Sequence, residues 1–287
     1  MKYAATIGFF DGVHLGHHFL IQQLQTQAAQ RGLSSAIITF EEHPKQVLDG
    51  RSPALLTTFD ERVQRLKQEG VNEIFCFHFE LVQGMTAEEF MRILHTQCDI
   101  EVLLMGYDHR FGSDHLCEIS AYQAIGQTVG VEVLPVTCAP EGDISSSKIR
   151  QALQEGRIEE ANRMLGYPYT LQGEVVHGHG LGQHIGFPTA NIATDTHKLL
   201  PCSGVYAGMV DVAEKQQRAV INIGTNPTVG NNLVSVEVHL PDYEGDLYGQ
   251  ALMVRLERFI RAEKKFATLE ELTQQIRIDI NGTVAVP

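Results

Sequence analysis

What most limits the fold of this chain is a strand–helix alternation that runs through its first 165 residues and then stops. Tyr3–Ile7 reads as a strand, and Leu15–Arg31 as a helix with Leu15, Phe19, Leu20, Leu24 and Ala28 along one face. Ser35–Phe40 (strand), Asp60–Gln68 (helix) and Glu73–Phe79 (strand) follow. Thr86-Ala87-Glu88-Glu89 is a capping box that opens a helix through about Thr96. Glu101–Met105 and Val131–Val136 are further apolar strands with Ile119–Gln127 helical between them, and the helices Lys148–Gln154 and Ile158–Leu165 close the section. Such alternation predicts an α/β fold, a parallel sheet covered by helices on both faces. Beyond it come only strand and turn signals, at Leu171–Val176, Gly204–Val212, Arg218–Ile223, Val234–Leu240 and Ala251–Phe259, then one helix at Leu269–Asp279. That pattern predicts a small antiparallel β-barrel plus one C-terminal helix. Two domains are expected, 1–165 and 166–287, since 287 residues exceed what one core usually serves. One large barrel is the alternative.

Charge and composition narrow the function. The 22 Lys+Arg against 35 Asp+Glu leave −13, which argues against gripping a nucleic-acid backbone, where surplus cations are needed. Cys76, Cys98, Cys117, Cys138 and Cys202 are odd in number and widely spaced, so reduced thiols fit better than a disulfide framework or a zinc knuckle. No apolar run reaches the length of a membrane span, and Met1–Gly8 lacks the hydrophobic core of a signal peptide. A cytoplasmic protein with no membrane and no nucleic-acid partner is expected.

Five motifs carry chemistry. Gly8-Phe9-Phe10-Asp11-Gly12-Val13-His14-Leu15-Gly16-His17 ends a strand and opens a helix. Unpaired N–H groups and the positive end of the helix dipole make that position a phosphate site, and His14 and His17 can both donate from the first turn. An isolated HxGH is as readily a turn with two surface histidines; its place between strand and helix favours the functional reading. Ser145-Ser146-Ser147-Lys148-Ile149-Arg150 starts another helix with three hydroxyls and nearby cations, a second anion site or simply a well-capped helix. Gly106, Asp108 and Arg110 lie in Gly-Tyr-Asp-His-Arg-Phe-Gly after an apolar strand, where α/β sheets bind ligands, although a solvated polar loop reads the same. The run from Gly178 to Asn191, with Gly180, Gly186, Pro188 and Thr189, permits backbone N–H groups to approach an anion, or is a glycine-rich hairpin. Thr189 and Asn191 offer hard oxygen ligands of the kind Mg²⁺ takes. In Ser235-Val236-Glu237-Val238-His239 the polar residues share one strand face, which is either functional or merely solvated.

Together these residues resemble the bifunctional prokaryotic riboflavin kinase/FAD synthetase family. The likeness runs from about Ala4 to Asp279 through G-x-F-D-G-V-H-L-G-H, F-x-x-H-P at Phe40–Pro44, L-L-T-T at 55–58, G-x-D-x-R-F-G, S-S-S-x-I-R, G-F-P-T-A-N and E-V-H, and continues at Gly224–Thr228, Tyr248-Gly249, Arg261, Glu263 and Phe266. It implies a Rossmann-like nucleotidylyltransferase domain that adenylylates FMN to FAD, and a barrel that phosphorylates riboflavin to FMN, both with ATP. The resemblance assigns catalysis to Glu237 as general base and to His14 and His17. It puts ATP against Gly8, Phe10, Asp11, Gly12, His14, His17, Gly106, Asp108, Arg110, Ser145, Ser146, Ser147 and Arg150 in one domain. In the other, ATP meets Gly178, Gly180, Gly186, Pro188 and Thr189. Mg²⁺ falls on Thr189 and Asn191, and flavin on Phe40, His43, Pro44, Asn191 and Arg261.

The chain departs from the family's usual pattern at Phe9 (Asn), Glu42 (Pro), Ser147 (Thr) and Gln183 (Arg), which bears on affinity and rate more than on reaction type. A single-activity nucleotidylyltransferase with an accessory barrel, or a degenerate flavin-binding protein, are the competing readings.

Overall fold

The computed structural model describes residues 1–106, 109–136, 144–178, 182, 185–213, 215–225 and 234–283. Their contacts divide the chain into two units, Met1–Ser146 and Ser147–Pro287.

The first unit is built on five parallel strands: β1 (Tyr3–Ile7), β2 (Ser34–Phe40), β3 (Glu73–Phe77), β4 (Ile100–Met105) and β5 (Glu132–Pro135), in the order β3-β2-β1-β4-β5. Alternation along each strand sends side chains to two separate cores. Ala4, Ile37, Val102 and Leu104 pack with Ile21, Leu24 and Ala28 of α1 (Leu15–Arg31) and Leu66 of α3 (Phe59–Gln68). Ala5, Ile7, Ala36, Ile38, Leu103 and Met105 pack with Phe90, Met91 and Leu94 of α5 (Ala87–Cys98) and Tyr122 of α6 (Ile119–Val129). Burial on both faces is what the near-continuous apolar strands predict. The stripe of α1 is centred on Ile21, Leu24 and Ala28, while Leu15, Phe19 and Leu20 at the start of the expected face are only partly buried. Thr86 and Glu89 form the capping box reciprocally. Two short helices lacked a sequence signal: α2 (Pro44–Asp49), opened by proline at its first turn, and α4 (Phe79–Val82).

The second unit contains α7 (Ser146–Gln154) and α8 (Ile158–Leu165), then β6 (Tyr169–Val176), β7 (Ala190–Thr194), β8 (Gly204–Val212), β9 (Lys215–Thr225), β10 (Val234–His239), β11 (Ala251–Arg261) and α9 (Leu269–Thr283). All six strands pair antiparallel and close into a barrel, β10-β7-β6-β11-β8-β9. The alternation in β10 buries Val236 and Val238 with Ile221 and Ile223 in the barrel core, which turns Glu237 outward. α9 packs on the outside of β8 and β9. α8 joins the barrel because Asn162 donates to the Leu256 carbonyl (2.9 Å) and accepts from the Tyr169 amide (2.8 Å). Among the described residues Cys76, Cys98, Cys117 and Cys202 are free thiols.

Candidate active sites

In the first unit the connections leaving β1 and β4 run in opposite directions across the sheet, so the loops after these neighbouring strands flank a topological switch point. The turn after β1 takes left-handed backbone at Phe10 (φ 57°), Gly12 (φ 81°) and Val13 (φ 36°). Such conformations persist at non-glycine residues only where the surroundings impose them. Here a buried carboxylate imposes them. Asp11 accepts from the Leu56 amide (3.0 Å), the Thr57 amide (3.0 Å) and the Thr57 hydroxyl (3.2 Å), while Gly12 donates its amide to Thr57 Oγ1 (3.0 Å). Both carboxylate oxygens of Asp11 therefore face the Leu55–Thr58 segment. Gly8 lets the Phe10 ring lie 2.9 Å from where a Cβ would stand.

The turn delivers His14 as the N-cap of α1. Its Nδ1 accepts from the His17 amide (3.4 Å), which in the neutral ring puts the proton on Nε2. The two imidazoles stack at 3.7 Å and 17°. His17 keeps some exposed surface, but its Nδ1 is buried without a hydrogen-bond partner. Burial, and then the neighbouring His14, hold His17 well below the usual histidine range, so it is neutral at physiological pH. Ser146, at the start of α7, donates its hydroxyl to the Asp11 carbonyl (2.9 Å). Ser147 and Arg150 fall in the second unit, and Ser145 is half-buried next to Ser146.

Phe40 ends β2 and His43 caps α2, with Pro44 opening that helix. The His43 ring meets Phe9 edge-on at 4.6 Å. Beneath them Arg62, which sequence reasoning passed over, is fully buried and donates to the Phe40 carbonyl (2.6 Å). Its guanidinium lies 3.9 Å from the Phe9 ring centroid, a cation–π contact, and desolvation lowers its pKa to about 10. After β4, the carbonyl of Gly106 accepts from the His109 amide, and Tyr122 grips both the amide (3.0 Å) and the carbonyl (2.8 Å) of Phe111. Arg110 is exposed, and its Nη1 donates to the His109 carbonyl. Asp108 lies outside the described residues.

In the barrel, Glu237 is in register with Asn191 on β7 and Asn222 on β9, so the three side chains share one row on the outer face. Asn222 was missed, although Ile221-Asn222-Ile223 carries the alternation of a strand with one polar face. His239, on the same face, has its Nδ1 2.8 Å from the Pro188 carbonyl and meets the Phe187 ring edge-on. A carbonyl only accepts, so Nδ1 holds the proton and His239 fastens the Gly186–Asn191 run to β10. Gly186, at φ 83°, and Pro188 are exposed. A Cβ on Gly178 would fall on the Asn191 amide, and one on Gly182 would reach 3.3 Å from Thr189 Oγ1. These glycines leave a cradle around a hydroxyl and an amide, an oxygen donor set that fits a magnesium ion together with a nucleotide's phosphates. Gly180 is outside the described residues. Arg261, which the family likeness puts beside flavin, ends β11. Its Nε and Nη2 grip the buried carboxylate of Asp279 (3.0 and 2.7 Å), tying β11 to α9.

Comparison with known proteins speaks to both halves. The riboflavin kinase family model matches residues 165–286, and the FAD synthetase model matches residues 1–148. The bifunctional riboflavin kinase/FMN adenylyltransferase of Escherichia coli (strain K12) is 38% identical over 280 residues, covering 96% of this chain and 89% of the relative. The chain belongs to this bifunctional family. The Bacillus subtilis (strain 168) member is 33% identical and covers 97% of this chain and 90% of its own length. A solved structure from Streptococcus pneumoniae, described as a macrolide-efflux protein, has TM-score 0.87 and 31% identity, covering 98% of this chain and 94% of its own. Among the described residues no helix is long and apolar enough to cross a membrane. As a member of the family the protein carries a riboflavin kinase domain and a FAD synthetase domain, whose substrates are riboflavin, FMN and ATP. The single-activity and degenerate readings are thereby set aside.

Proposed function

We propose that the barrel unit phosphorylates riboflavin through Glu237 and that the parallel-sheet unit adenylylates FMN at the β1–α1 turn. The observation carrying this reading is the cross-strand row Asn191–Glu237–Asn222, fastened through His239 to the segment holding Thr189. Glu237 takes the proton of the ribityl 5′-hydroxyl, the oxygen bonds to the γ-phosphorus of ATP, and ADP leaves. Thr189 and Asn191 would hold Mg²⁺, which neutralises charge on the nucleotide phosphates. The second reaction needs no base, since the FMN phosphate is already ionised. Its oxygen bonds to the α-phosphorus of a second ATP and pyrophosphate leaves, with charge met by the His14 Nε2–H, by His17 and by the free amides opening α1. Phe40, His43 and Pro44 stand on the flavin side of this site. A cytoplasmic location suits the reduced thiols and the soluble substrates.

The test follows FMN and FAD separately by chromatography. Glu237→Gln should slow FMN formation by roughly 10²-fold or more while leaving FMN-to-FAD conversion within about twofold. His14→Asn should do the reverse. Unimpaired FMN formation in the glutamine variant removes Glu237 as base, and joint loss of both activities refutes the split between units.

A further inference from the structure

We infer that Glu41, Glu42 and His78 form a binding site for a first-row divalent transition metal ion, separate from the magnesium-nucleotide chemistry above. One ligand atom from each of the three lies within 4.8 Å of the others. The backbone brings them together: Phe40 pairs with Phe77 in the parallel ladder, and the Glu41 amide donates to the Phe77 carbonyl (3.1 Å), so the ends of β2 and β3 leave the sheet side by side. His78 is the N-cap residue of α4, yet its side chain makes no capping hydrogen bond. Its Nδ1 turns instead to the two carboxylates, 3.0 Å from Glu42 Oε1 and 3.4 Å from Glu41 Oε2. The remaining Glu42 oxygen accepts from the Phe79 amide (3.1 Å), an outer contact of the kind that orients a metal ligand.

The two distances from His78 Nδ1 suit an ion as well as they suit hydrogen bonds. With ligand bonds of about 2.1 Å, neighbouring donor atoms stand about 3.0 Å apart at a right angle and about 3.4 Å apart at the tetrahedral angle. One imidazole with two carboxylates is a mixed nitrogen–oxygen set, which favours zinc, cobalt, nickel or manganese over magnesium or calcium. All three side chains are partly exposed, which gives an ion a way in and leaves room for water on the open positions. An ion seated there would join the ends of β2 and β3 and stiffen the entry to the Phe40–Pro44 segment.

Calorimetric titration of the full-length, chelator-stripped protein with Zn²⁺ tests this, alongside His78→Ala, Glu42→Gln and His78→Asp. The parent should bind one more equivalent than His78→Ala, and Glu42→Gln should weaken that equivalent at least tenfold. His78→Asp, which keeps a ligand, should recover it in part, and circular dichroism should find all three folded like the parent. Zinc stoichiometry and affinity unchanged in His78→Ala and Glu42→Gln, or no extra equivalent in the parent, would overturn the site and leave the cluster a histidine–carboxylate ion pair.

Discussion

Replacing Asp11 with alanine separates two roles that a nucleotide-binding turn could give it. The family likeness lists Asp11 beside ATP, whereas in the structure its carboxylate accepts three hydrogen bonds from Leu56 and Thr57. Both residues are 1% exposed, so the substitution strands two backbone N–H groups away from water. Each buried donor left without an acceptor costs roughly 1–3 kcal/mol, and with the loss of the charge-assisted hydroxyl contact the sum is about 3–5 kcal/mol. That is a large fraction of the roughly 5–15 kcal/mol a domain possesses. At roughly 3 °C per kcal/mol for a unit of this size, the melting temperature of the first unit should fall by about 10–15 °C. The chain has no tryptophan, so unfolding is followed by circular dichroism at 222 nm. Asp11→Asn, which keeps one acceptor but aims an NH₂ group at an amide, should lie between parent and alanine. A midpoint moved by less than about 1 kcal/mol, accompanied by collapse of ATP affinity, would show that the carboxylate touches nucleotide and that the clamp argument is wrong.

Two further outcomes follow from buried groups. Because His17 titrates below its unfolded value of about 6.5, the unfolded chain binds that proton more readily. Stability is therefore full above about pH 6.5 and declines as pH falls toward the depressed folded value, and His17→Asn should flatten urea midpoints between about pH 5 and 7. Asp279→Asn removes one charge of a largely buried pair, so the barrel unit should lose about 2–3 kcal/mol, with faster hydrogen exchange along α9 as the local signature.

Periodicity made the long elements legible: the bounds of α1 and α8 follow directly from apolar spacing and glycine stops at Gly32 and Gly166. It could not reveal α2 or α4, which are too short for an apolar stripe, nor β7, whose five residues sit behind a Gly-Phe-Pro-Thr run that reads as a turn. Nor does a helix's pattern say which core it serves, so α8 was grouped by position, whereas Asn162 bonds it to the barrel. Motifs marked strand ends and helix starts, but partners distant in sequence stayed hidden. Thr57 stands far along the chain from Asp11, and Asp279 is a helical carboxylate with nothing in its neighbourhood to mark it as the mate of Arg261. The same holds for Arg62, whose burial comes from Phe9 and Phe40 on other elements.

The bond from His239 to Pro188 has a consequence for error tolerance. Glu237 and His239 stand two residues apart on one strand, so the group that would accept the proton and the hook that holds the threonine–asparagine segment ride on a single rigid element. A displacement of that strand would carry Glu237 and the Gly186–Asn191 run together. For the proposed phosphoryl transfer, that shared anchorage would keep Glu237 and Thr189 in step.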